Sequence, residues 1–376
     1  MSLRVLIDAT PIPAQLLGAG HYVVRLIGAL AERSDQVDLH VLVKERDRDA
    51  LAELAPGAAL HGVNIGSRPA RIAWEQTLLP RRARGLAPDV FHGPHYTLPP
   101  ALRCPTVVTF HDPTFFTLPQ LHERAKVPYF TRMARLGVRR ATRVIAVSEY
   151  AGNGVIEHAG ADPGAVDVVY LGVDLQTYTA RPGPDDERLR AERRVKPPYL
   201  FWVGAIEPRK DLPTLVRAFT SLVREGAPHS LVLAGPSAWG ADALSRAIVG
   251  SGFGARIRRL GYVSEPEKIA LYRGADALVY PSIAEGFGLQ VLEGMACGTP
   301  VITTTGSAPE EVGGDAVELA PPHDAEALAA AIRRILEDAA RADELRRRGP
   351  ERAESFPWER TAEHTLASYR RAVQLG

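Results

Sequence analysis

Cysteine is nearly absent from these 376 residues: Cys104 and Cys297 are the two. They lie far apart, and neither has metal-ligand spacing, which argues against a disulfide framework and a cysteine-built metal site. Net charge is equally scarce. A formal +1 leaves no global field to draw the chain onto nucleic acid. No apolar run approaches the length of a membrane span. The opening segment, Ser2 to Asp8, reads as a first strand and not as a signal peptide. Internal repeats and low-complexity segments do not stand out. What remains is 45% hydrophobic and 24% charged, in a chain too long for one core and about right for two. The expected setting is reduced and cytoplasmic.

Short β-branched runs alternate with helical stretches. Arg4 to Asp8, Val37 to Val43, Asp89 to His92, Thr106 to His111 and Arg143 to Ser148 read as strands of a first half. Between them, His21 to Glu32, Arg71 to Arg82 and Val127 to Ala141 read as helices. The second half repeats the scheme from Tyr199 to Gly204 onward, with a helix over Pro213 to Arg224. This alternation predicts an α/β chain with parallel, doubly wound sheets. Arg181 to Arg188 is rich in proline and charge with no apolar periodicity, which suits a linker and places a boundary near residue 180.

The most informative stretch runs from Tyr280 to Ile302. A strand end, Ala277 to Tyr280, enters the turn Glu285-Gly286-Phe287-Gly288, a helix from Leu289 to Ala296, and a new strand from Val301 to Thr304. Strand, glycine turn, helix and strand make one βαβ unit, and ligands bind at the carboxyl ends of such strands. Glu285 sits in the turn and Glu293 about two turns into the helix. Ionised carboxylates only accept hydrogen bonds, and a sugar offers many donors. A second candidate is Arg209-Lys210, between a strand and a helix start. Two cations there oppose the helix dipole unless an anion intervenes, so the pair is read as a diphosphate site. A third is Gly18 and Gly20, in the Thr10 to Gly20 loop after the first strand, where exposed N–H groups can hold a diphosphate or form a plain tight turn.

Together these residues resemble the E-x7-E signature, glycine turn and Arg-Lys element of the retaining glycosyltransferases of family 4, and Gly18 to Tyr22 resembles a mannosyltransferase-like subgroup. The resemblance implies a GT-B fold: two Rossmann-like doubly wound domains facing a deep cleft, with a C-terminal helix crossing back to the N-terminal domain. The N-terminal, acceptor-binding domain would cover residues 1–180 plus the helix at 358–376. The nucleotide-sugar domain would cover 181–357. Site residues follow position by position. Arg209 and Lys210 would hold the donor diphosphate and help it leave. Glu293 would accept from ribose hydroxyls. Glu285 and the Gly286, Phe287, Gly288 and Leu289 backbone would meet the sugar. Tyr262 and Val263 would meet the base, and Gly18 and Gly20 the phosphates. His111 would face the transferred sugar. His92 and His95 either line the acceptor side or belong to the core.

The implied reaction is metal-independent, retaining transfer of a hexose from a nucleotide-diphosphate sugar, with no cofactor. The subgroup points to GDP-mannose, while UDP- and dTDP-sugars stay open. The acceptor is a saccharide, a lipid-linked saccharide or a small metabolite. Two basic clusters, Arg81, Arg82 and Arg84, and Arg132, Arg135, Arg139 and Arg140, are either solvated faces or a peripheral contact with anionic lipid. A nucleotide-sugar epimerase and a non-catalytic sugar-nucleotide-binding subunit are the rival readings. A phosphorylase lacks its pyridoxal-lysine context here.

Overall fold

The computed structural model describes residues 2–13, 18–99 and 101–376. Residues 14–17, the middle of the Thr10 to Gly20 loop with Leu17 among them, lie outside the described residues. The chain forms two compact units. The first combines the residues up to Thr117 with Arg124–Gly172 and Trp358–Gly376, and the second combines Leu118–Glu123 with Val173–Pro357.

The first unit carries β1 (Leu3–Asp8), β2 (Val37–Lys44), β3 (Ala59–Val63), β4 (Val90–Gly93), β5 (Thr106–Phe110), β6 (Arg143–Ala146) and β7 (Val166–Val168). Among the described residues they form one sheet in the order β3-β2-β1-β4-β5-β6-β7, each pair parallel. The second unit carries β8 (Tyr199–Val203), β9 (Ser230–Ala234), β10 (Ile257–Gly261), β11 (Ala277–Tyr280), β12 (Val301–Thr304) and β13 (Glu318–Ala320). Their order is β10-β9-β8-β11-β12-β13, again parallel. Helices cover both faces of a parallel sheet, so its strands read as continuous apolar runs rather than alternating ones. The core strands show this: Tyr199, Leu200, Phe201 and Trp202 in succession are fully buried.

Sheet order fixes where a ligand can sit. The winding direction reverses between β1 and β4 in the first unit, and between β8 and β11 in the second. At such a reversal the following loops diverge to opposite faces and leave a crevice at the carboxyl edge. The loops after β8 and β11 hold Arg209, Lys210 and Glu285.

Two segments differ from the sequence expectation. The single helix expected over Arg71 to Arg82 is two, Arg68–Thr77 and Leu79–Leu86. Pro80 has no N–H to donate and its ring crowds the preceding turn, so the first helix stops and Pro80 opens the second. The stretch read as a linker, Arg181 to Arg188, runs into a helix, Asp186–Glu192, fastened to the second unit. Asp186 accepts from Gly183 N at 2.8 Å and from Arg273 Nη1 at 3.2 Å. The change of compact unit falls earlier, between Gly172 and Val173.

Candidate active site

In the second unit, three of the sequence-predicted residues converge. Pro208–Lys210 is a short 3-10 turn after β8. Its Arg209 carbonyl accepts from Ile283 N at 2.9 Å, which fastens it to the loop after β11. Across that seam Lys210 Nζ donates to Glu285 Oε1 at 2.5 Å and to Tyr280 Oη at 2.7 Å. Arg209 Nη1 donates to Glu285 Oε2 and, at 2.9 Å, to the Ala284 carbonyl. Tyr280 Oη also lies 3.2 Å from Glu285 Oε1 and 3.0 Å from Gln290 Oε1. Both Lys210 and Glu285 are buried.

Burial disfavours the Glu285 carboxylate, but the Arg209 and Lys210 charges overcome it and hold the carboxyl at about 2. Burial pushes the Lys210 ammonium below the usual lysine range, although Glu285 opposes this. The result is a buried anion gripped by two cations. An anionic ligand arriving at Arg209 and Lys210 would exchange with Glu285 for their charge.

The turn itself needs its glycine. Gly288, at φ 95°, starts the helix Leu289–Ala296, and a Cβ there would meet Pro309 Cγ at 3.0 Å. Phe287 is buried, its ring edge-on to Phe356 with centroids 6.4 Å apart. Glu293 belongs to a second group on the same helix. Its Oε1 accepts from Lys268 Nζ at 2.8 Å and its Oε2 from Tyr272 Oη at 2.9 Å. Gln290 joins the two groups, its side chain meeting Tyr280 and its carbonyl accepting from Tyr272 Oη at 3.4 Å. A carboxylate has about four acceptor sites, so Glu293 keeps capacity for ligand hydroxyls. Tyr262, after β10, is 57% exposed, and its carbonyl lies 3.5 Å from Arg193 Nη2, while Val263 is buried.

The first unit holds the remaining candidates. Gly18 has φ 43° and ψ −110°, where a side chain is strained, and begins the helix Ala19–Ala31. Gly20 lies inside that helix and lines a cavity of about 100 Å³ with Pro11, Ile12, Pro13, Ala19, Val23 and His95. His111 Nε2 lies 2.7 Å from the Pro94 carbonyl. A carbonyl only accepts, so Nε2 carries the proton and Nδ1 is left as an acceptor. Burial holds the ring neutral, down to about 4.

His92 is not an acceptor-side residue. It is fully buried, with Nδ1 at 2.7 Å from Tyr369 Oη and Nε2 at 2.7 Å from Thr109 Oγ1. Thr109 Oγ1 lies 2.9 Å from Tyr22 Oη, so the group ties β4, β5 and two helices together. His95 is half-buried at the cavity and held neutral by burial, down to about 3. The arginines at 81, 82, 84, 132, 135, 139 and 140 are exposed. Arg135 is tied down over the Phe116 ring, 5.3 Å from its centroid.

Sequence reasoning missed Tyr280, Gln290, Tyr272 and Lys268. Tyr280 carried a signal, as the last residue of the strand that feeds the Glu285 turn. Lys268 and Tyr272 carried none, because only tertiary packing brings their helix to Glu293.

Among the described residues no helix is long and apolar enough to cross a membrane. Two family models match the chain. Residues 17–177 match "Glycosyltransferase Family 4" and residues 185–353 match "Glycosyl transferases group 1". The chain is 28% identical over 380 residues to an O-antigen chain mannosyltransferase B of Escherichia coli, covering 98% of this chain and 100% of that protein. It is 36% identical over 255 residues to a D-inositol 3-phosphate glycosyltransferase of Kineococcus radiotolerans, covering 63% of this chain and 59% of that protein. In structure it is similar to a sucrose-phosphate synthase from Thermosynechococcus elongatus, with TM-score 0.79 and 22% identity over 98% of each chain. Two parallel-sheet units of this order are the GT-B architecture. The chain belongs to the group 1, family 4 glycosyltransferases and is a glycosyltransferase enzyme.

Proposed function

We propose that this enzyme transfers mannose from GDP-mannose to a hydroxyl of a saccharide, lipid-linked saccharide or small-molecule acceptor, with retention and without a divalent metal. The observation that carries the reading is the buried Arg209–Lys210–Glu285 group at the β8–β11 reversal. The mannose assignment is supported by the likeness, over nearly the whole chain, to the O-antigen mannosyltransferase.

The donor diphosphate takes the two cations, whose fixed charges stabilise the negative charge that grows on the leaving oxygen. The bond between the anomeric carbon and the phosphate oxygen breaks. The acceptor oxygen bonds to that carbon on the same face and passes its proton to the departing phosphate. Glu285, displaced from the cations, accepts from sugar hydroxyls or lies beside the cationic carbon. Glu293 accepts from the ribose, and His111 Nδ1 accepts from a sugar hydroxyl.

The test is a thermal-shift panel of GDP, UDP, ADP and dTDP with and without magnesium, followed by turnover of GDP-mannose. A ligand at one hundred times its Kd adds about 2.7 kcal/mol. A GDP shift that magnesium does not enlarge, and an α-linked product from the α-donor, support the reading. A shift from UDP alone overturns the donor. An inverted product overturns the mechanism. Conversion of the donor without any acceptor points instead to epimerisation.

A further inference from the structure

Glu293 sits on the helix Leu289–Ala296, and each of its carboxylate oxygens takes a donor from the helix Glu265–Gly274. Lys268 Nζ donates to Oε1 at 2.8 Å and Tyr272 Oη to Oε2 at 2.9 Å. Both donors are themselves held. The Lys268 ammonium lies 5.1 Å from the centroid of the Tyr178 ring, whose hydroxyl donates to Glu265 Oε1 at 2.9 Å. Tyr272 is fully buried, and its carbonyl accepts from Thr299 Oγ1 at 2.8 Å. Burial, with the Glu293 charge beside it, pushes the Tyr272 phenol far above its ordinary range, so the hydroxyl keeps its hydrogen and donates it.

A carboxylate gripped at one oxygen can turn about its last bond. Gripped at both oxygens, it has a fixed plane. About two of its four acceptor sites are then left, one on each oxygen. The Lys268 and Glu293 side chains stay 15% and 14% exposed, so the group is not sealed from a ligand. Two acceptor sites side by side in one plane suit two neighbouring hydroxyls, as on the vicinal diol of a ribose. A sugar with one of those hydroxyls missing leaves an acceptor unmatched. The same helix carries Gln290, whose Oε1 lies 3.0 Å from Tyr280 Oη in the Lys210–Glu285 group, so the carboxylate stands beside the cations proposed for the diphosphate.

We infer that Lys268 and Tyr272 are positioning residues for the donor ribose: they fix the Glu293 carboxylate so that its remaining lone pairs take the 2′- and 3′-hydroxyls together, which selects ribonucleotide donors and rejects 2′-deoxy donors such as dTDP-sugars. This rests on the donor reading above.

The test uses the whole protein with GDP, UDP, their 2′-deoxy counterparts and inorganic pyrophosphate as probes. Four forms are compared, with Tm recorded for each: wild type, Lys268→Met, Lys268→Arg and Tyr272→Phe. Wild type is expected to bind the ribonucleotide of its preferred base about tenfold to a hundredfold more tightly than the deoxy form. In Lys268→Met and Tyr272→Phe that ratio shrinks to a few-fold through lost ribonucleotide affinity, while pyrophosphate binds as in wild type. Lys268→Arg keeps a cationic donor for Oε1 and keeps the ratio. A wild type that binds ribo and deoxy forms alike, or Met and Phe variants that keep the full ratio, overturns the inference and leaves the donor reading standing. So does a loss that falls equally on ribonucleotide, deoxynucleotide and pyrophosphate, because a pair that only joins two helices gives that pattern. A wild type that binds neither the nucleotides nor pyrophosphate overturns the donor reading and this inference with it.

Discussion

Glu285→Gln removes the anion from between two cations while keeping the side chain's shape. The Glu285 carboxyl is held at about 2, against 4.5 for a free glutamate. Each pH unit of such depression is about 1.4 kcal/mol, so the ionised group contributes about 3 kcal/mol to the second unit at pH 7. That agrees with the cost, about 3–5 kcal/mol, of removing one partner from a buried pair. The sign follows from the lowered value. The stabilisation is fully present above about 4.5 and is lost as pH falls toward 2. By pH 3.5 a substantial part of it is gone. Hydrogen exchange at the amides of β8 and β11 reads this locally, whatever the first unit does. The variant is expected to exchange faster at pH 7, and its difference from wild type to shrink on acidification through 4. A diphosphate ligand should narrow the same difference, because it supplies the missing negative charge. Turnover should fall by about two orders of magnitude or more. A variant as stable as wild type at pH 7, or a difference that does not change with pH, refutes the reasoning.

Lys210→Met keeps the volume and loses the charge; kcat should fall about 10²–10³-fold at saturating donor, and near-normal turnover would refute its role on the leaving diphosphate. His111→Gln should lower kcat about 10²-fold. Because His111 is already neutral until pH falls through about 4, the wild-type kcat/KM profile should show no limb from this residue near 6.5; an acidic limb there that vanishes in the variant would contradict the neutral ring. Tyr369→Phe leaves the buried His92 Nδ1 without its partner and should cost the first unit about 1–3 kcal/mol, seen in exchange at β4 to β6, with donor-nucleotide affinity unchanged.

The unit from β11 to β12 was legible to the residue, because every boundary carries a local signal. Gly288 stops the turn, and Gly298-Thr299-Pro300 stops the helix before β12. The edge strand β3 was not legible: none of its residues is fully buried, so its pattern shows no apolar face. The helix Ala339–Ala353 also escaped, since it carries Pro350 and buries only Ala342, Leu345, Gly349 and Ala353. At the site, Arg209, Lys210 and Glu285 were visible as residue types in telling places, and their mutual contacts were not. His92 looked like His95 in sequence, two strand-end histidines three residues apart. Only the C-terminal helix, with Tyr369, shows that one is core and the other lines a cavity. The approach of His323 Nδ1 to Asp211 Oδ2, at 2.9 Å, spans more than a hundred positions and leaves no periodic trace.

The helix Trp358–Leu375 completes the first unit although the whole second unit precedes it in the chain. Its Tyr369 supplies the partner of His92, and its Ser368 Oγ donates to Asp167 at 2.7 Å. During synthesis the strands of the first unit must therefore wait for a helix made after the second unit. At typical ribosomal speeds of 5–20 residues per second, making residues 173–357 takes about 10–40 s. Through that interval the β4–β6 face stays uncovered, with His92 lacking its phenol. The second unit, Leu118–Glu123 with Val173–Pro357, is complete before that helix is made and has no such wait. Misfolding on the ribosome should begin in the half that emerges first, and changes near the carboxyl terminus should be felt at the amino-terminal core.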